Sequence, residues 1–140
     1  MPKNATFSNE WLQLVFNAVA ISGLADDAAV SPLTELSVAL HTADPAGGTQ
    51  ATNEIAYTGY SRIMVARTAS GWVVSGASVS PNVNIDFGAM ASGAGGTVTN
   101  FSVGTGVADK LLYSGTVTPN ILVVNGVRPR LKSTSTITEG

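Results

Sequence analysis

From Leu36 onward the apolar residues of this chain recur at every second position, in short runs punctuated by turn-forming residues. Leu36, Val38 and Leu40 alternate with Ser37, Ala39 and His41. That is the pattern of a strand with one face in a core and the other half-exposed. Further runs of the same kind are YSRIMVAR, GWVVSGASV, NVNIDFG, GTVTNFSVGT, KLLYSGTV and ILVVNGV. Each is bounded by Gly, Pro, Asn or Ser, and several recur at a spacing of about ten residues, the signature of antiparallel β architecture. The chain is therefore expected to be mainly β: a single antiparallel β-sandwich, jelly-roll-like, or a barrel. No internal repeat of fixed period occurs, so neither a solenoid nor a repeated fibre shaft is supported.

One segment breaks the pattern. In SNEWLQLVFNAVAI, residues 8–21, Leu12, Val15, Phe16 and Val19 fall at helical spacing and predict an N-terminal α-helix with a core-facing stripe. Ser8 is placed to cap its first turn and Gly23 to end it. Trp11, Leu14, Ala18 and Ile21 widen the stripe until only Gln13, Asn17 and Ala20 remain as its polar strip. A helix this apolar is expected to pack on its own domain and on another subunit as well. Pro32 breaks regular structure, which divides the chain into an N-terminal arm, residues 1–32, and a β-sandwich domain, residues 33–140.

Charge narrows the function. Only 11% of the 140 residues are charged, against about 25% in typical soluble domains. Ser and Thr together number 29. Such neutral polar surfaces suit turns and β faces, and also surfaces that meet other surfaces. With the apolar helix they point to a homo-oligomer, most simply a closed trimer. A net charge of −2 with scattered cations argues against nucleic acid as a partner, and none is expected. RPRLK, residues 128–132, is the only basic cluster and reads as a solvated or partner-facing strand end. The chain has no cysteine, so disulfides and thiolate metal sites are excluded. Glu10, Gln13 and Asn17 interrupt the first apolar run, which argues against a signal peptide or a membrane span.

Little in the chain suggests catalysis. His41, the single histidine, closes a strand on the face opposite Leu36, Val38 and Leu40, three residues before Asp44. With Pro45, Gly47 and Gly48 following, it reads as a turn-side hydrogen-bonding pair with Asp44. The Gly-x-Ser-x-Gly elbow is absent, and the nine acidic residues are scattered without metal-ligand spacing. No metal and no cofactor is expected. GAGG and GTGVAD read as hairpin loops. Tyr57, Tyr60 and Trp72 are either a sugar-stacking platform or, the more usual role, core or interface anchors. The residues expected at an interface, with a second copy or with a partner surface, are Trp11, Leu12, Val15, Phe16, Tyr57 and Tyr60. Tyr60, Arg62, Met64 and Ala66 share one strand face, and neither face is purely polar, as for a strand covered on both sides.

LHTADPAGGTQATNEIAYTGYSRIMVAR, GWVVSG, NIDFG, GTVTNFSVGT and KLLYSGTVTPNILVVNGVRPRL, within residues 33–131, resemble a family of small tailed-bacteriophage virion proteins. Its members are described as tail fibre proteins or as head decoration (cement) proteins. The resemblance implies a structural, non-enzymatic role in the virion, with no catalytic residues to carry over. Because the chain is short and has no shaft repeat, the expected role is capsid decoration. It would then sit on the outer capsid surface, bind the major capsid protein and stabilise the head. The alternative is a tail fibre or tail-associated component that contacts the host receptor.

Overall fold

The strand β1 (Glu35–His41) is the middle of the protein's largest sheet and is covered on both faces. It pairs antiparallel with β2 (Ile63–Ala66) on one side and with β6 (Gly96–Gly104) on the other. Adding β7 (Leu111–Val123) gives the order β2-β1-β6-β7. A second sheet holds β3 (Trp72–Ser75), β4 (Ser78–Pro81) and β9 (Ile137–Thr138), and β5 (Ile85–Asp86) pairs with β8 (Arg130–Leu131). These elements belong to a computed structural model that describes residues 5–20 and 33–139. All strand pairings are antiparallel. One helix occurs among the described residues and no closed barrel forms. The fold is mainly β and sandwich-like, and the barrel alternative falls away.

One apolar cluster joins the sheets. Leu36, Val38 and Leu40 of β1 meet Trp72, Val79, Phe87 and Val103 in it. The helix α1 (Ala5–Asn17) closes one end with Leu12 and Phe16, both fully buried. Phe16 packs edge-on against Trp72, ring centroids 4.8 Å apart, a geometry that adds to the burial energy of both rings.

Four strand expectations change. β1 is not half-exposed, because Ser37, Ala39 and His41 are buried beneath a polar layer described below. GWVVSGASV is a hairpin, not one strand: Gly76 takes φ 58° between β3 and β4, a region glycine enters without strain. KLLYSGTV and ILVVNGV are one strand, β7. Its pairing with β6 jumps from Val98–Ile121 to Asn100–Thr116, so residues 117–120 bulge outward opposite Thr99. Pro119, which has no N–H to give, is tolerated because that side of β7 is a sheet edge. The fourth change is β2, an edge strand with Met64 exposed, where cover on both sides was expected.

The helix also shifts. It starts at Ala5, which puts Ser8 inside it and buried, not at its cap. It ends at Asn17, because Ala18 turns left-handed at φ 55° and the Val19 N–H reaches back to the Gln13 carbonyl at 3.1 Å. That bond satisfies one of the carbonyls left free at the helix C-terminus, and Val19 leaves the stripe for solvent. Ile21, Gly23 and Pro32 lie outside the described residues. No described helix is long and apolar enough to cross a membrane.

Candidate functional site

His41 is enclosed by its own strand neighbours and does not pair with Asp44. Nδ1 lies 2.9 Å from the Thr52 carbonyl, which can only accept. Nδ1 therefore carries the proton, and Nε2, 2.7 Å from the Ser102 hydroxyl, accepts from it. Gln50 completes the layer, donating from Nε2 to Ser102 Oγ at 3.2 Å and to the Ser37 carbonyl at 3.0 Å. Burial, the largest influence, lowers the His41 pKa against the opposing pull of the Thr52 carbonyl. Asp44 instead accepts from the Ala46 N–H at 2.9 Å, a turn-initiating contact. A serine hydroxyl on a neutral histidine is the geometry of an activated nucleophile. Here Ser102, His41 and Gln50 are all buried, and they line neither of the two clefts described below. The layer joins β1, β6 and the 49–54 turn.

The expected interface residues divide. Leu12 and Phe16 are consumed by the chain's own core and leave no surface for a partner, while Val15 packs against that core. Tyr57 is buried and donates to the Gly88 carbonyl at 2.7 Å. Tyr60 donates to Glu54 at 2.8 Å and accepts from the Leu40 N–H at 3.1 Å. Burial, then the Glu54 carboxylate, hold its hydroxyl protonated. Tyr57, Tyr60 and Trp72 thus form no exposed sugar platform. Trp11 alone keeps a large exposed area, at 39%. Its Nε1 donates to Tyr113 Oη at 2.8 Å, and Tyr113 donates on to Glu139 at 2.7 Å. Beside Tyr60, Arg62 forks onto Glu54 at 2.8 and 2.7 Å and reaches Asp109 at 2.7 Å. It thereby ties β2 to two loops.

A concavity lies elsewhere on the surface. A cleft of about 570 Å³ runs between the outward bulge of β7 and the segment 130–136. Thr118, Pro119 and Asn120 form one wall, and Arg130, Lys132 and Thr134 stand on the other. The second wall is fixed at several points. Leu131 pairs with Ile85, the Ser133 N–H donates to Asn84 at 2.9 Å, and the Ser135 N–H closes a turn onto the Lys132 carbonyl at 2.9 Å. Asp86 takes Arg130 in a two-pronged pair, Nε to Oδ1 at 2.5 Å and Nη2 to Oδ2 at 3.0 Å. A smaller groove of about 290 Å³ follows the free edge of β2, past Met64 and Val83. Among the described residues no group of acids and histidine is arranged to hold a metal ion.

The family model described as Podophage GP4 fiber I protein gp80 matches residues 4–138. The chain belongs to this family. The match takes in the helix and the nine described strands, and the family is one of phage virion structural proteins. Its description as a fibre protein favours the tail-fibre alternative over capsid decoration. No curated protein matches the chain.

Sequence reasoning missed the cleft. RPRLK was legible as a strand end, and β8 is one. The facing wall comes from residues 116–122, and the Pro119 that marks it reads in the sequence as a gap between strands.

Proposed function

We propose that this chain is a non-enzymatic component of a bacteriophage tail fibre, acting as a rigid module that meets the host surface. The observation that carries the reading is the fibre-family match over residues 4–138. The enclosure of Ser102 and His41 supports the non-enzymatic part, since the best-formed nucleophile–base pair is buried. We also propose a homo-oligomer, a trimer in its simplest form. Low charge supports it, as do the exposed apolar residues Met64, Val83 and Leu122, at 45, 64 and 63%. Antibody labelling of intact particles, viewed by electron microscopy, tests the location. The fibre reading expects label on the tail and a few to dozens of copies. Label over the whole head, with hundreds of copies, would instead favour capsid decoration with the major capsid protein as partner. Sedimentation at micromolar concentration tests the oligomer, and a stable monomer would overturn it.

A further inference from the structure

We infer that the cleft between the β7 bulge and the segment 130–136 binds an acidic oligosaccharide, a sugar chain bearing carboxylate or phosphate groups. This deepens the reading of the chain as a fibre module that meets the host, by naming the ligand class. Three observations converge. The lining includes Arg130 and Lys132 and no carboxylate residue, in a chain whose net charge is −2. Arg130 uses Nε and Nη2 on Asp86, which leaves Nη1 for another acceptor, and no ion pair holds the Lys132 ammonium among the described residues. Lys132 supplies the charge that Asp86 does not already offset, and the unused Nη1 of Arg130 supplies a second donor, a pairing suited to an anion.

The remaining polar groups are neutral: four threonines, Ser135 and Asn120. Hydroxyls and amides that both donate and accept match the many hydroxyls of a sugar chain. Pro119 and Leu122 offer apolar patches for the C–H faces of the rings. The volume falls in the range of ligand sites, roughly 300–1,000 Å³. No aromatic side chain lines the cleft, so a single-stranded nucleic acid would lack the stacking platform it needs. The 130–136 wall is held by pairing and turns, and the bulge is pinned at its two ends by the pairs Asn100–Thr116 and Val98–Ile121, which limits the ordering required on binding.

The test uses the full chain and two defined probes of equal length, oligogalacturonate and neutral malto-oligosaccharide, followed by calorimetry or amide NMR. Oligogalacturonate should bind and shift residues 116–122 and 130–136, and the neutral chain should bind at least about tenfold more weakly, the worth of one charge-assisted contact. Lys132→Glu should lose about tenfold in affinity. Lys110→Glu, the same charge change at an exposed site outside the cleft, should not. Equal binding of both probes, equal loss in both variants, or no binding of oligogalacturonate would overturn the inference. Both variants alter exposed side chains, and circular dichroism confirms that each is folded. Particle labelling decides the fibre reading separately, so a tail protein that ignores acidic sugars sinks only this site.

Discussion

Arg67 and Val15, 52 residues apart, are joined by a 2.7 Å hydrogen bond from the guanidinium Nε to the main-chain carbonyl. Nη2 of the same side chain takes the Leu14 carbonyl at 2.5 Å. The last turn of α1 contains no basic residue, so the cation that satisfies its end carbonyls and its dipole comes from the bend just after β2. Arg67→Ala should lower stability by about 1.5–3 kcal/mol, the range for hydrogen bonds to a charged group. Arg67→Lys should recover less than half, since an ammonium cannot span both carbonyls as the fork does. Urea unfolding with an unchanged slope would check both values.

His41 should give the fold a pH dependence near neutrality. Burial lowers its folded pKa below the ordinary 6.5, so the unfolded chain binds the proton more readily. Stability is then fully present above about pH 6.5 and declines as pH falls towards the lower folded value. Asp86, held low by Arg130, acts only beneath the carboxylate range and does not overlap that window. Replacing His41 with Gln should flatten the curve between pH 7.5 and 5. A wild-type midpoint unchanged across that span would refute the assignment.

Gly104 and Gly47 should respond oppositely to alanine. A Cβ on Gly104 would collide with the Gln50 side chain and the Lys110 carbonyl, at the point where β6 and β7 shift register. Gln50 is held by Ser37 and Ser102 and cannot withdraw without breaking the layer around His41. Gly104→Ala should therefore cost about 1–3 kcal/mol. Gly47→Ala meets nothing within 4 Å and should stay within about 0.5 kcal/mol of wild type. Thermal melts of the two variants suffice.

These contrasts also mark what local sequence could carry. Alternation gave β1 its position, because Leu36, Val38 and Leu40 do face the core. It assigned His41 to solvent because the covering residues, Gln50 and Ser102, come from a turn and from a strand 61 residues on. The helical stripe located Leu12 and Phe16 correctly. The helix end was misplaced, since its terminus depends on Arg67 and on a left-handed alanine, neither a usual stop signal. The cleft has the same origin: its basic wall is contiguous in sequence, but only β7's bulge turns it into a concavity.

Phe16 and Trp11 share one helix but face different surroundings, and their variants should separate folding from association. Phe16 is fully buried, 4.8 Å from the Trp72 ring and 5.8 Å from that of Tyr113. Phe16→Ala should cost about 3–5 kcal/mol, a large part of the stability of a domain this size. Removal of residues 5–17 should be worse, because it uncovers Trp72. Trp11 is partly exposed and contributes one 2.8 Å bond to Tyr113, so Trp11→Ala should cost about 1 kcal/mol and lower the melting temperature by only a few degrees. If the helix also meets another subunit, Trp11 is the aromatic available to it, since such side chains dominate interface energies once covered. Trp11→Ala should then weaken self-association in sedimentation at a temperature where the fold is intact. Unchanged association in that variant would remove the helix from the interface and leave the exposed apolar residues of the strands to supply it.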